Sequence, residues 1–490
     1  MTLIRDWIER AAARNGTGVY LEDARGTANL TYTDLRRAVL AMERCLQDAG
    51  LPPGARVAVR LSDPVEYATA LVALLGAGRV AVPLDPRAPT ADVARVLAVA
   101  RPAAAVTDVS FGIPSDLPWL RPHLACDAEP DAVASGGATV PRSARSAGIF
   151  LCTSGTTGTP KGILLREAQL AHVADTVAGW HRLTEADRGY CSLPLFHVNA
   201  EVVGLLATLR AGARLALDRK FSRAGFWDMI REREITWINA VPAIISILAM
   251  EPPVSAPASV RFVRSASAPL PLAALERFES ALGIPVIETY GMTEAASMIA
   301  ANPLDGPRKP GSAGLPAGTE LRVLAPGGRA PAGGVGRVQI KGAGVITRYA
   351  QGGRPDAIDP AGWLDTGDLG YTDDDGYLFL VGRSDDVINR GGEKIYPREI
   401  EEILLAQPGV HSAAVVGAAD DVLGERPVAY VVPQGGWPEE KVEAALREAC
   451  AAELPKHKQP TAFFIVGELP LGTTGKIARH RLKDLAAARR

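Results

Sequence analysis

The stretch LCTSGTTGTPKGILL, Leu151–Leu165, decides how this chain is read. Serine, threonines, glycines, one proline and one lysine stand between apolar flanks. Glycines let successive backbone N–H groups converge on an anion, hydroxyls add donors, and a lysine adds charge. The loop therefore reads as a phosphate cradle, and the first question is whether it is a P-loop. The Walker pattern requires a glycine, four residues, then Gly-Lys and Ser or Thr. Five onward from Gly155 stands Pro160, and Lys161 is followed by Gly162, so the pattern fails. A second candidate, GTTGKI at Gly472–Ile477, lacks the distant first glycine and has Ile477 where the magnesium-binding hydroxyl belongs. The bland reading is an exposed polar turn. It is disfavoured because AGIFLCT runs into the loop and another strand-like run leaves it.

On either side the chain alternates. LTYTDLRRAVLAMERCLQDAG reads as a helix stopping at Gly50, ARVAVRL as a strand, PVEYATALVALLGAG as a helix and RVAVPLD as a strand. TADVARVLAVARP is again helical. After the loop come helices in EAQLAHVADTVAGWHRL, VGLLATLRAG, FWDMIREREI and PLAALERFESALG, with strand-like TWINAVP and IPVIETYG between and after them. Short apolar strands alternating with helices predict an α/β layer with a mainly parallel sheet. From about 307 to 382 glycines and short strands such as GRVQIKG predict a β-rich subdomain. Beyond a boundary near Gly382–Asp386, REIEEILLAQPG, VHSAAVVGAAD, RPVAYVVP, PEEKVEAALREACAAEL and PTAFFIV predict a compact α+β unit. The expected organisation is a large N-terminal domain over 1–382, with two α/β subdomains and the β-rich one, and a small mobile domain over 383–490.

Composition excludes several classes. A chain of 490 residues with 47% apolar and 22% charged residues is that of a globular protein with two or more domains. Lys and Arg number 53 against 55 Asp and Glu, without a basic block, so no nucleic-acid footprint is expected. The N-terminus MTLIRDWIERAAARN is not a signal peptide, and the most apolar run is broken at Arg79 before membrane-spanning length. Five scattered cysteines and dispersed histidines give no zinc spacing. The C-terminal AARR is no peroxisomal address. A cytoplasmic protein with reduced thiols is expected, without a membrane partner.

The loop at Leu151 resembles the phosphate-binding motif of the adenylate-forming superfamily, which includes acyl-CoA synthetases, carrier-protein adenylation domains and luciferases. Four further stretches are similar to that family's motifs, in its order. They are YGMTEAA at Tyr290–Ala296, GWLDTGDLG at Gly362–Gly370, GRSDDVINRGGEKIYPREIE at Gly382–Glu401, and the terminal lysine motif PLGTTGKIARHRL. The resemblance covers nearly the whole chain. It implies that a carboxylate attacks the α-phosphate of ATP, expelling pyrophosphate, and that a thiol then takes the acyl group from acyl-AMP.

The resemblance also implies roles. Thr153, Ser154, Gly155, Thr156, Thr157, Gly158 and Lys161 would cradle the departing phosphates. Thr293 would meet the α-phosphate region, and Glu294 would help hold Mg²⁺. Tyr290 and Gly291 would flank the adenine together with the loop Ser265–Leu270, through Ser267, Ala268 and Pro269, where most relatives carry more glycine. Asp368 would accept both ribose hydroxyls, which suits a carboxylate, and Arg383 would reach the same sugar. Lys476 would bridge the carboxylate and the α-phosphate. Asp385 matches the hinge, about which the terminal domain would rotate to bring Arg390, Gly391, Gly392, Glu393 and Lys394 against the site for coenzyme A.

PLFHVNAEVVGLLATLRAG is the least generic stretch. His197 is similar to the residue bordering the acyl pocket, and Asn199, Arg264 and Ser267 are further pocket candidates. The segment FVRSASAPL with IETYGMTEAASMIAANPL is closest to the oxalyl-CoA synthetase-like bacterial branch, although Asn199 replaces that branch's second histidine. The acid is left open among short, medium, aromatic and dicarboxylic acids. Glu201, if buried, is expected to have a compensating positive group. CoA is the expected acceptor. A separate carrier protein, a hydrolytic nucleotide enzyme and a silent nucleotide-binding protein are the alternatives, the last disfavoured by the presence of Glu294, Asp368, Arg383 and Lys476.

Overall fold

The computed structural model describes residues 2–109, 112–114, 117–121, 147–153, 161–250, 252–253, 255–354, 356–471 and 477–488. Among these, the strands form four sheets. The first runs, edge to edge, through Trp119–Leu120, Ala104–Thr107, Arg56–Arg60, Val80–Pro83, Gly148–Thr153 and Lys161–Arg166. Its first strands are parallel, as expected of strands joined by helices. The last two are antiparallel, with Thr153 opposite Lys161. The two strands that flank the hydroxyl-rich stretch thus pair as a hairpin. A P-loop instead runs from strand into helix, so the failed Walker spacing has a topological counterpart.

The second sheet has nine strands with a parallel centre: Val286–Met292, Phe262–Ser265, Trp237–Ala240, Arg188–Cys191, Arg214–Leu217 and Val19–Asp23. Antiparallel Ser297–Ala301 and Leu315–Pro316 extend one edge, and Asn29–Thr31 ends the other. Local chemistry starts the helices that connect the strands of these two sheets. Asp63 caps the helix Pro64–Gly76 by accepting from the Val65 and Glu66 N–H groups, with Pro64 in the first turn. Thr31 and Asp34 form a reciprocal capping box on Tyr32–Asp48. The N-terminal segment is itself an amphipathic helix, Leu3–Asn15, that buries Ile4, Ile8 and Ala11.

Helix type is corrected at one point. VGLLATLRAG reads as an ordinary helix, but Asn199–Leu206 is wound as a π-helix, with the Ala207 N–H reaching back to the Val202 carbonyl. Only Ala207–Ala211 continues as α-helix.

The third sheet is antiparallel throughout: Gly328–Arg329, Glu320–Ala325, Gly336–Lys341, Leu364–Thr372 and Leu378–Arg383. A turn at Ser384–Asp386 then leads into the C-terminal region. There the long pair Val410–Asp420 and Gly424–Pro433 is joined by Ile388–Arg390, Glu393–Ile395 and Ala462–Ile465, and packed by the helices Pro397–Ala406, Glu439–Glu453 and Arg479–Ala488. The large α/β N-terminal region and smaller α+β C-terminal region are those expected from sequence. Arg398 Nη1 donates to the Leu380 carbonyl (2.8 Å) and Lys483 Nζ to the Asp385 carbonyl (3.2 Å) where the two meet. Among the described residues no helix is long and apolar enough to cross a membrane.

Candidate active site

Ligands of open α/β sheets gather beyond the carboxyl ends of the parallel strands. Here Ser265 and Glu288 are register partners, so the chain leaving each strand enters the same space. From one comes the exposed loop with Ser267, Ala268 and Pro269, and from the other Tyr290 and Gly291. Ser267 stands at φ +76°, a left-handed conformation that a side chain resists by about 1–2 kcal/mol. It lies in the loop, Ser265–Leu270, where the resemblance expects more glycine. Gly291 is obligatory for another reason. A Cβ there would lie 1.6 Å from the Ser297 carbonyl oxygen, inside the strand pair that turns back beside it.

Asp368 lies across from Arg383 in the hairpin of the third sheet, which brings residues fifteen apart in sequence face to face. Arg383 Nη1 donates to Asp368 Oδ1 and to the Thr366 carbonyl, each at 3.0 Å. Tyr290, from the second sheet, donates its phenol to Asp368 Oδ2 at 2.5 Å. Burial and then the Asp368 charge hold that phenol far above its ordinary pKa, so it stays a donor. Gly367, at φ +77°, has no Cβ because one would meet Arg383 Nη2 at 2.8 Å. Each carboxylate oxygen keeps a free lone pair, so two further hydroxyls can bind.

A second group forms around Glu294. It sits in a short 3-10 turn, Thr293–Ala295, and is buried, and its Oε1 accepts from the Tyr349 phenol at 3.1 Å. The Lys161 ammonium lies 5.9 Å from the centroid of the same Tyr349 ring. Among the described residues no group of three or more His, Cys, Asp or Glu could hold a metal by itself. Mg²⁺ commonly takes one or two carboxylates and completes its shell with phosphate and water. A single buried carboxylate with one oxygen uncommitted among the described residues, near the same tyrosine ring as Lys161, fits that habit.

The third group is a buried polar cluster. Arg264 is 1% exposed, and its Nη1 donates to Asn199 Oδ1 (3.0 Å) and Asn239 Oδ1 (3.3 Å). The Asn199 amide reaches Ser267 Oγ at 3.4 Å, and the Asn239 amide reaches Asn199 Oδ1 at 3.3 Å. The Arg264 Nε has no hydrogen-bond partner, and among the described residues no carboxylate pairs with this guanidinium. Burial pulls its pKa down to about 9. Burial and then Arg264 and Arg261 push His181 down to about 3, so it is neutral and adds no second positive charge here. His197 precedes the π-helix, its ring 4.6 Å from that of Phe196.

Glu201 departs from expectation. It is fully buried, both carboxylate oxygens lack a hydrogen-bond partner, and no positive group among the described residues compensates it. Burial alone drives its pKa far upward, so the group is a neutral carboxylic acid.

In the C-terminal region Arg390 and Glu393 are register partners around Gly391 and Gly392, at φ +61° and +94°. That is the two-residue turn requiring left-handed backbone at both positions. A Cβ on Gly392 would meet nothing within 4 Å, so conformation and not crowding demands the glycine. Lys394 and Glu393 are exposed beside it. The Gly391 N–H donates to the Leu423 carbonyl (2.7 Å), and Arg390 Nη1 to the His457 carbonyl (2.7 Å). These bonds stay within the C-terminal region and do not join the hairpin to the three groups above. Asp385 lies in the turn between the regions. Thr153 ends its strand opposite Lys161, whereas Ser154, Gly155, Thr156, Thr157, Gly158 and Lys476 lie outside the described residues. Sequence reasoning missed Tyr349, Asn239 and Thr366. A polar Asn239 inside the apolar strand WINA was the one signal available.

The model of the family described as "AMP-binding enzyme" matches residues 8–350, and that of "AMP-binding enzyme C-terminal domain" matches 399–476. A sulfoacetate–CoA ligase of Cupriavidus necator is 39% identical over 475 residues, covering 93% of this chain and 92% of the relative. An oxalate–CoA ligase of Arabidopsis thaliana is 35% identical over 492 residues, 93% of each. The solved structure of ATP-bound MatB from Rhodopseudomonas palustris superposes with a TM-score of 0.87 at 28% identity, over 98% of both chains. The relatives thus extend beyond an oxalate-type branch. The chain belongs to the AMP-binding enzyme family and is an AMP-forming acid–thiol ligase.

Proposed function

We infer that this ligase joins a short carboxylic acid bearing a second anionic group to CoA, through an acyl-adenylate. The observation that carries the reading is Arg264, a buried guanidinium with two amide oxygens but no anion among the described residues. An unpaired buried charge is costly. A second carboxylate or a sulfonate at the far end of the substrate supplies the missing charge, directly or through the Asn199 amide. The ligases for sulfoacetate and for oxalate, both acids with two anionic groups, support this reading by their similarity.

The proposed chemistry follows the site. Asp368, steadied by Arg383 and Tyr290, takes the ribose hydroxyls, and Tyr290 offers its ring to the adenine. Lys161 and the loop before it take the β- and γ-phosphates. Mg²⁺ held by Glu294 would neutralise phosphate charge at that end. The acid's carboxylate attacks the α-phosphorus and pyrophosphate leaves, with Lys476 drawing the two reactants together. The CoA thiolate then attacks the acyl carbon and AMP leaves. Rotation about Asp385 exchanges Lys476 for the Arg390–Lys394 hairpin between the steps.

The test is pyrophosphate release across sulfoacetate, oxalate, malonate and succinate against acetate, butyrate and benzoate, each with and without CoA, with products read by mass spectrometry. Acyl-CoA masses from the doubly anionic acids are expected. Preference for uncharged tails would overturn the pocket assignment. Pyrophosphate with only an acyl-AMP mass would move the acceptor to a carrier protein.

A further inference from the structure

The segment Val345–Gln351 touches both ends of the phosphate-binding region. Its Ile346 N–H donates to the Glu294 carbonyl at 2.8 Å, and the Tyr349 phenol donates to the Glu294 carboxylate at 3.1 Å. At the next residue the chain crosses to the other partner. The Ala350 N–H donates to the Gly162 carbonyl at 2.9 Å, and the Gly162 N–H donates to the Gln351 carbonyl at 2.8 Å. Gly162 immediately follows Lys161, whose ammonium lies near the Tyr349 ring. The approach is close. A Cβ on Gly162 would meet Phe150 at 2.7 Å and Gln351 at 3.3 Å. Val345 and Ile346 are buried in the main core, so the segment is anchored and cannot drift with either partner.

We propose that Tyr349 is a positioning residue for Mg²⁺-ATP, clasping the Glu294 carboxylate and the base of the phosphate loop into one unit. Its hydroxyl fixes the rotamer of Glu294 by occupying one oxygen and leaves the other for the metal. Its ring gives the Lys161 ammonium an electron-rich face at the distance where such attraction operates. The clasp joins two groups far apart in sequence, one starting a strand of the first sheet and the other in the short turn Thr293–Ala295. The proposal rests on the reading of Glu294 as the metal carboxylate.

The experiment measures binding of α,β-methylene-ATP by calorimetry at stepped Mg²⁺ concentrations, for the wild type, Tyr349→Phe and Tyr349→Leu, with AMP as the control ligand. Tyr349→Phe retains the ring and is expected to fold, which circular dichroism and ligand-free melting check. Loss of a hydrogen bond to a charged group corresponds to about tenfold. The half-saturating Mg²⁺ concentration in Tyr349→Phe should therefore rise by about that factor, with AMP affinity unchanged. Tyr349→Leu should in addition shrink the preference for the ATP analogue over AMP, because the face beneath Lys161 is gone. Wild-type Mg²⁺ dependence in Tyr349→Phe overturns the proposal, and so does an equal loss of AMP affinity, which would mark general damage to the pocket. If the wild type itself binds the analogue without responding to Mg²⁺, the assignment of Glu294 falls and the clasp falls with it.

Discussion

Tyr290 and Asp368 meet at 2.5 Å although they belong to different sheets, the phenol donating to the carboxylate that Arg383 also holds. The aromatic side chain and the carboxylate are therefore placed as a pair, with the direction of the ring's long axis held by a bond at its tip. Tyr290→Phe keeps the ring and removes that bond. The KM for ATP should rise about tenfold with a smaller change in kcat, as expected when a bond to a charged group is lost. Steady-state pyrophosphate release at varied ATP reads this out, and an unchanged KM would mean that the pair is structural only.

Arg264 should govern the choice of acid. Replacing it by methionine removes the buried positive charge while leaving Asn199 Oδ1 its bond from Asn239. For acids with a second anionic group, kcat/KM should fall about 10- to 100-fold, the range for a charge-assisted hydrogen bond. For simple monocarboxylates it should hold or rise. A uniform fall across both acid types, measured in the same pyrophosphate assay, would assign Arg264 to folding alone.

Glu201 should be a net cost to stability. Its neutral carboxyl is buried with two oxygens lacking hydrogen-bond partners, each a desolvation penalty. Glu201→Met fills similar space without polar atoms and should stabilise the chain by about 1–3 kcal/mol. Thermal melting at pH 7 checks the direction, and a lower melting temperature would show that the carboxyl has a partner after all.

Glu288 should make stability depend on pH. Burial, opposed by the Gly311 N–H and Arg398 and reinforced by Glu402 and Glu279, pushes its pKa up to about 7. The folded state keeps a proton that the unfolded chain releases above about pH 4.3. Stability at this group is thus full below that pH, declines as pH rises, and levels off beyond about 7. The loss is on the order of 3 kcal/mol at most. Glu288→Gln can still accept from Gly311 and should melt like the wild type near pH 4.5 but several degrees higher at pH 8. Parallel melting curves across that range would refute the assignment.

The motifs were legible because each is local. The phosphate loop, YGMTE and the Asp368 stretch carry their residues within a few positions of one another. What they meet is not local. The facing of Asp368 and Arg383 depends on hairpin register, and the bond to Tyr290 on how two sheets lie together. Tyr349 was invisible for the same reason, since nothing near it in sequence mentions Glu294 or Lys161. Arg264 is a candidate by resemblance, but its lack of a counter-ion among the described residues is a property of every element around it. The alternation of strands and helices survived because burial on both faces of a parallel strand leaves an apolar run. The winding of Asn199–Leu206 did not, because in an almost wholly apolar run a period of 3.6 and a wider one look alike.

That wider winding makes the pocket sensitive to chain length as well as to side-chain identity. A π-turn accommodates an extra residue within an otherwise ordinary helix. Excising one residue between Gly204 and Leu206 would let the segment relax to the α form, where each position turns by about 100°. Asn199, at its leading end, would swing off Arg264 and Ser267 with no substitution at any of the three. Loss of a single codon would thus rearrange the polar cluster around Arg264, an alteration that a column-by-column comparison of its residues would score as a gap.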